Sequence, residues 1–242
     1  MKNSTMPARS AWGKFPDVAI HATESAVKKH PDYAAAKAGD IAAAKCVVMA
    51  TFDPATIEAI HQQVGARMPI VVGIQALEVQ GENAIPSALA GVIARRLGLP
   101  LDDDIVQINC VGHTGSDGFH RLATPALFEG AAQPGAAYLL VDDFVGQGGT
   151  LANLRGHIEC QGGNVLMATT LTGKPYSAKL ALSDETLRQL RKKHGHDLEI
   201  WWQARYGYGF ERLTESEARY LERSPDADTI RNRIVAAEKA GG

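Results

Sequence analysis

Short apolar runs alternate with stretches of helical periodicity over the middle of the chain. Pro86 opens a segment whose apolar positions recur at helical spacing and which ends at Gly98, a pattern typical of an amphipathic helix. A second helix is predicted over residues 149–160. Compact apolar runs rich in β-branched residues predict buried strands at 70–74, 105–109, 137–142 and 164–171. This alternation of strand and helix predicts an α/β fold with a parallel twisted sheet and right-handed crossovers.

Helical segments flank the alternating region on both sides. Residues 25–66 are rich in Ala, Lys and Glu, and Asp40 and Asp53 stand where they would cap two or three short helices. Residues 183–194 and 214–239 have a helical pattern and carry many charges. The predicted domains are a flexible arm at 1–16, an N-terminal helical segment at 17–66, a core at 67–182 and a C-terminal helical hood or interaction segment at 183–242.

Composition narrows the class of protein. Of 242 residues, 45% are hydrophobic and 21% charged, and the net charge of −2 gives no general basic footprint for nucleic acid. Three widely spaced cysteines fit neither a disulfide framework nor a zinc site and suit a reducing compartment. No run reaches the ~18 apolar residues of a membrane span, and the first residues lack an apolar signal region. We therefore expect a cytoplasmic protein with no membrane partner.

One stretch, YLLVDDFVGQGGTL over residues 138–151, combines features that suit a phosphorylated sugar. A predicted buried strand ends in Asp142 and Asp143, a loop with three glycines follows, and a helix then begins. Backbone N–H groups at such a strand–loop–helix junction form a nest for phosphate, and the helix N-terminus adds partial positive charge. The hydroxyl of Thr150 could add a donor. The carboxylates could accept hydrogen bonds from sugar hydroxyls or help to hold a hydrated divalent cation.

This order of residues resembles the phosphoribosyl-diphosphate (PRPP) signature of type I phosphoribosyltransferases. It differs from the P-loop, since no Lys follows the glycines, and from G-x-G-x-x-G, since the acids come first. Gln147 stands where many members have Thr, which removes one side-chain donor. The resemblance implies a phosphoribosyltransferase sheet with helical additions at both ends and catalytic acids Asp142 and Asp143 on the ribose hydroxyls. It also implies a 5′-phosphate site at Gly146, Gln147, Gly148, Gly149 and Thr150.

The resemblance suggests further, weaker site residues. A loop before the Pro86 helix is loosely similar to that of ComF-type competence proteins, and its Gly81, Glu82 and Asn83 would contact pyrophosphate; the alternative is a polar surface loop. Residues 111–125 would form the mobile loop over PRPP, with His113 and Arg121 neutralising pyrophosphate unless they are merely exposed. Lys174 would contact the acceptor unless it is a solvated lysine. The aromatic residues at 201–210 are either hood core or a stacking surface for a base.

The activity implied is transfer of ribose 5-phosphate from Mg-PRPP to a small-molecule acceptor, with release of pyrophosphate. Mg²⁺ would be the cofactor, held mainly by substrate and water with no direct protein ligand. No acceptor signature is present. Two alternatives stay open: a regulatory or interaction protein that binds PRPP or a nucleotide, as in DNA uptake, toxin–antitoxin pairs or phage defence, and a hydrolase that transfers the sugar to water. We expect a homo-oligomer or a protein partner bound through the terminal helices.

Overall fold

The computed structural model describes residues 6–78, 81–110 and 117–241. Within these ranges the strands are β1 (Ala19–Ala22), β2 (Ile70–Gly73), β3 (Leu77–Glu78), β4 (Gly81–Glu82), β5 (Leu101–Asp102), β6 (Val106–Gln107), β7 (Phe128–Glu129), β8 (Ala137–Val145) and β9 (Asn164–Gly173). The helices are α1 (Glu24–Lys28), α2 (Tyr33–Lys37), α3 (Ile41–Thr51), α4 (Pro54–Val64), α5 (Ile85–Leu97), α6 (Gly118–Ala123), α7 (Gly149–Cys160), α8 (Asp184–Tyr206), α9 (Glu215–Glu222) and α10 (Ala227–Gly241).

A five-stranded parallel sheet, in the order β1-β9-β8-β2-β5, forms the centre of the fold. The side chains of β8 alternate between its two faces, as the twofold period of a strand requires. Leu139 and Val141 pack into a cluster with α3, α4 and α5, whereas Tyr138 and Leu140 pack with α7 on the opposite face. Because both faces are covered, the strand is apolar at consecutive positions.

The predicted fold class is confirmed in its main features. The strand predicted at 137–142 is the central strand β8, and the helix predicted at 149–160 is α7. The helix opened by Pro86 is α5, which ends at Gly98 with a left-handed φ of +64°. Asp40 and Asp53 cap α3 and α4 through side-chain hydrogen bonds to backbone N–H groups. The N-terminal helices α1–α4 lie between the edge strand β1 and β2, and helices α8–α10 follow the sheet.

Two strands differ from the prediction. The run at 105–109 contributes only β6, which pairs antiparallel with β7 outside the main sheet, and the edge of the sheet is the two-residue β5. The opposite edge is β1, a four-residue strand that the apolar pattern did not predict because it contains the polar His21. Edge strands are short and half-solvated, so their composition carries little signal.

The N-terminal residues 6–16 are packed onto the protein, in contrast to the loose arm predicted over 1–16. Arg9 and Trp12 are buried, and the Trp12 Nε1–H donates to the backbone oxygen of Leu213 at 2.6 Å. Arg155 on α7 donates to the backbone oxygen of Ala11 at 2.9 Å. These partners lie far away in sequence, so local polarity gave no sign of them.

The C-terminal helices form a second, smaller core. Trp202, Tyr206, Tyr208 and Phe210 are buried in one cluster, which agrees with the hood-core interpretation of these aromatics. Phe119 from α6 also belongs to this cluster. In the described ranges, no helix is long and apolar enough to cross a membrane.

Docking of the N-terminal residues depends on Gly156 in α7. A Cβ at this position would overlap the backbone oxygen of Ala8. We expect Gly156→Ala to release residues 6–16, measured as faster amide hydrogen exchange there and as a lower free energy of unfolding in urea.

Gly91 in α5 provides the matched control, because a Cβ there meets nothing within 4 Å. Gly91→Ala should stabilise the protein by up to about 1 kcal/mol through helix propensity alone. Equal stabilisation by both substitutions, with residues 6–16 still protected, would contradict the tight docking.

Candidate functional site

Strand β8 carries the two acids to the edge of a cleft. Asp142 and Asp143 lie within the strand, where Asp142 is in register with Thr170 of β9. The chain then turns through Gly146–Gly148, and α7 begins at Gly149. Gly148 has a left-handed φ of +79°, and a Cβ there would overlap Leu180. The turn therefore requires glycine at this position.

The acids and the glycine loop line one cavity of about 480 Å³, which we call the phosphate-loop cavity. It brings together Asp142, Asp143 and the whole segment 146–150. Asn83 and Arg121 line it as well, whereas Gly81, Glu82 and Lys174 do not. Tyr208, one of the aromatic residues at 201–210, also lines it. Further lining residues that the sequence did not indicate are Arg9, Lys37, Gln107, Asn153 and Glu217.

The two acids have different electrostatic environments. Asp142 is 8% exposed and accepts a hydrogen bond from the backbone N–H of Asp143 at 2.8 Å. Burial, and then the charge of Asp143, raise the pKa of Asp142 well above its usual value. Asp143 forms an ion pair with Lys37, with 3.0 Å between Nζ and Oδ2. The pair thus combines one ion-paired carboxylate with one carboxyl group that tends to keep its proton.

Lys37 reaches the acids because α2 docks against the segment before α5. The backbone N–H of Ala84 donates to the oxygen of Ala36 at 3.1 Å. Gly81, at φ +131°, approaches so closely that a Cβ would lie 2.6 Å from the oxygen of Ala38. The structure therefore gives Gly81 a packing role at the end of α2. In sequence, Lys37 is an ordinary basic residue in the last turn of an Ala-rich helix, so no local signal marked it.

The other two residues of the expected pyrophosphate loop, Glu82 and Asn83, lie in different environments. Glu82 is exposed. Asn83 is 3% exposed, and its Oδ1 accepts a hydrogen bond from the backbone N–H of Ile85 at 3.2 Å. Asn83 thus caps the start of α5 while it lines the phosphate-loop cavity.

Residues of the C-terminal segment contact the glycine loop 146–150. Thr214 donates its hydroxyl to the backbone oxygen of Gln147 at 2.6 Å. Thr214 also caps α9 in a capping box with Glu217, and both Glu217 carboxylate oxygens bind the guanidinium of the buried Arg9 at 2.8 and 2.9 Å. A Cβ on Gly149 would lie 2.7 Å from Glu217 Oε1, so Gly149 makes room for this carboxylate.

The described part of the expected mobile loop, 111–125, contains a helix. Residues 118–123 form α6, whose Phe119 ring contacts Tyr220 edge-on at 5.0 Å, and Asp117 lies 3.5 Å from Arg233 of α10. Arg121 extends from α6 to the glycine loop, where its Nη1 would be 3.0 Å from a Cβ on Gly146. His113, the other cation expected here, lies outside the described residues.

A second cavity of about 690 Å³ adjoins the first, and we call it the cationic cavity. Its wall shares Lys28, Arg121, Phe144, Gly146 and Gln147 with the phosphate-loop cavity. Lys174, the residue expected to contact an acceptor, lines this second cavity and pairs with Glu24. Its hydrogen bond to Glu24 raises the pKa of Lys174, which therefore stays charged.

The donor set does not form a metal cage by itself. Across the described ranges, no group of three His, Cys, Asp or Glu side chains could hold a metal ion. Asp142 and Asp143 together offer carboxylate oxygens at the cavity wall, which suits a hydrated Mg²⁺ that brings most of its ligands with it.

No protein-family model matches the chain. The chain is 39% identical to Protein TraN of Escherichia coli over 98% of its own length and 53% of that protein. It is 36% identical to a Haemophilus influenzae protein over 62% of its own length and 34% of that protein. The chain thus spans about half the length of the first relative and about a third of the second.

Solved structures with a partly similar arrangement include two phosphoribosyltransferases of different specificity. The hypoxanthine enzyme of Staphylococcus aureus has 19% identity and a TM-score of 0.34 over 50% of this chain and 60% of its own. The adenine enzyme of Leishmania tarentolae has 15% identity and a TM-score of 0.34 over 74% of this chain and 79% of its own. Because the structural similarity is this low, the function is inferred from the residues of the two cavities.

The raised pKa of Asp142 predicts a specific pH dependence of stability. In the unfolded chain the carboxyl has a pKa of about 3.9, so the folded state binds this proton more tightly, and stability falls as pH rises through the folded pKa. Asn cannot ionise and can still accept the Asp143 N–H. We therefore expect Asp142→Asn to be more stable than the wild type at pH 8, with the difference disappearing near pH 4, in urea titrations across this range.

Asp197→Asn is the control for that comparison, because Asp197 lies exposed on α8. Its effect on stability should be small at every pH. A lower stability of Asp142→Asn at pH 8 would show that the ionised form of Asp142 is favoured in the folded protein.

Proposed function

We propose that the chain binds Mg-PRPP in the phosphate-loop cavity and transfers ribose 5-phosphate to an acceptor with release of pyrophosphate. The observation that supports this most is the shared cavity wall: Asp142, Asp143 and all of segment 146–150 face one space of about 480 Å³ at the start of α7. A loop suited to phosphate and two acids suited to sugar hydroxyls thus line one cavity, which supports binding of a phosphorylated pentose.

In the proposed complex, the glycine loop binds the 5′-phosphate. Backbone N–H groups at the start of α7 and the Thr150 hydroxyl would donate to it, with the helix N-terminus adding favourable charge. Asp143, and Asp142 in either protonation state, would hydrogen-bond the ribose hydroxyls. Asn83 and Arg121 lie on the same wall and would face the departing pyrophosphate.

Catalysis in this scheme comes from position and electrostatics. Loss of pyrophosphate leaves positive charge at the sugar C1 carbon, and the nearby carboxylate of Asp143 would stabilise it. Arg121 would balance the negative charge of the leaving group. The bound substrate would bring Mg²⁺, held mainly by its own oxygens and water, and this ion would neutralise part of the charge on the leaving pyrophosphate. Binding PRPP in one fixed geometry against its acceptor supplies the remaining advantage.

Binding without turnover is the second candidate function, and the packing of α6 favours it. A transferase must shield its reactive sugar from water, and the segment expected to close was 111–125, of which residues 118–123 form α6. Phe119 and Leu122 of α6 are instead buried in the C-terminal core. A protein that only senses PRPP or a nucleotide needs the glycine loop and the acids but no closure.

The double substitution Asp142→Asn and Asp143→Asn tests the binding site. If both carboxylates accept hydrogen bonds from ribose hydroxyls, titration calorimetry should show Mg-PRPP affinity reduced by about 10–100-fold. Ribose-free pyrophosphate should lose much less affinity.

The matched control is the double substitution Asp197→Asn and Asp228→Asn, which removes two carboxylates from exposed positions on α8 and α10. It should leave PRPP affinity unchanged. If the Asp142/Asp143 variant also binds Mg-PRPP with unchanged affinity, these acids do not contact the ligand, and the main support for the proposal is removed.

Turnover separates the two candidate functions. Wild-type protein with Mg-PRPP should release pyrophosphate at a rate that depends on one member of a panel of nucleobases and related heterocycles. Binding of PRPP without acceptor-dependent release would favour the sensor, and release without any acceptor would indicate transfer to water.

A further inference from the structure

The cationic cavity has a strongly unbalanced charge. Among the described residues that line it, five are cationic and one is acidic: Lys28, Arg121, Lys174, Arg219, Arg223 and Glu24. Glu24 forms ion pairs with both Lys28 and Lys174. One carboxylate of the wall therefore faces two ammonium groups, and the described lining residues carry more positive than negative charge.

Two of these cations form a separate anion-binding edge. Arg219 and Arg223 stand four residues apart on α9 and its end, so they project from the same side of the helix. Arg219 contacts Glu215 at 3.1 Å, but that carboxylate is buried and already accepts hydrogen bonds from Ser183 and Thr186. Adjacent guanidinium groups are well suited to bind a carboxylate or a phosphate with paired hydrogen bonds.

Aromatic rings share the cationic cavity with this arginine edge. Phe144, Tyr176 and Tyr220 line the cationic cavity, and Lys28 sits 5.3 Å from the centre of the Phe144 ring. Tyr176 is 66% exposed, so its ring is accessible to a ligand in the cavity. The cavity thus offers both aromatic contacts and the two guanidinium groups of the arginine edge.

We propose that the second ligand of this protein is an anionic aromatic compound, with its ring near Phe144 and its carboxylate or phosphate bound by Arg219 and Arg223. The inference rests on the proposed function in that the ligand occupies the acceptor side of the PRPP site, across the shared wall of Phe144, Gly146 and Gln147. The inference predicts that the acceptor is negatively charged, a property that the glycine loop and the two acids leave open.

Matched probes that differ in one anionic group test this ligand class. Orotate and uracil differ by a carboxylate, and AMP and adenosine differ by a phosphate. Calorimetry with the full chain, at saturating ribose 5-phosphate to fill the glycine loop, should show at least one anionic probe binding about tenfold or more tightly than its neutral partner.

The variant Arg219→Gln with Arg223→Gln should abolish that preference while Mg-PRPP affinity stays within about twofold. Arg223→Gln alone provides a milder variant should the double one unfold. The control is Arg188→Gln on α8, whose side chain is 73% exposed and paired with Glu185, and which should keep the preference.

The outcomes distinguish this inference from the proposed function. An anionic preference that survives in both arginine variants, equal binding of charged and neutral probes, or displacement of every anionic probe by ribose 5-phosphate would overturn the inference. Displacement of AMP alone would identify the anionic group as a carboxylate. Failure of Mg-PRPP to bind, with the orotate preference intact and dependent on the arginines, would overturn the proposed function and leave this site standing.

Discussion

Two adjacent carboxylates at the buried end of the central strand impose the main electrostatic constraint on this fold. Asp142 and Asp143 would repel each other if both were ionised away from water. Two features reduce this repulsion. Lys37 forms an ion pair with Asp143, and the raised pKa of Asp142 favours its neutral form. The ion pair is not available to β8 alone, because Lys37 comes from α2. The N-terminal helices are therefore part of the site.

The glycine loop imposes a second requirement. A loop that directs its N–H groups towards a ligand must have its carbonyl groups satisfied from the other side, since buried unpaired carbonyls are costly. Thr214 satisfies Gln147, and the Thr214–Glu217 capping box is held in turn by Arg9. The buried Arg9–Glu217 pair thus connects both ends of the chain to the loop, and breaking it by removing one partner would leave an uncompensated charge beside the cavity.

The sequence predicted the structural features that depend on residues close together in the chain. The apolar run of β8, the loop glycines and the start of α7 follow one another in sequence, so their order alone indicated the strand, the turn and the helix. The caps at Asp40 and Asp53 are equally local. Arg9, Lys37 and Glu217 depend on contacts across more than a hundred residues, and nothing in their neighbourhoods distinguishes them. The edge strand β1 was missed because its four residues mix apolar and polar side chains.

The arrangement of charge in the cleft also explains why overall composition was uninformative about ligands. A net charge of −2 describes the whole chain, whereas a bound molecule responds to the few groups that face it. Among the described lining residues, the phosphate-loop cavity has three acids and four cations, whereas the cationic cavity has one acid and five cations, with Phe144 and Gly146 on the wall common to both. A ligand that carries several negative groups around a centre of developing positive charge matches this mixture of acids and cations. Because Arg121 lies on the common wall, a change in the packing of α6 against the C-terminal helices would alter both cavities together.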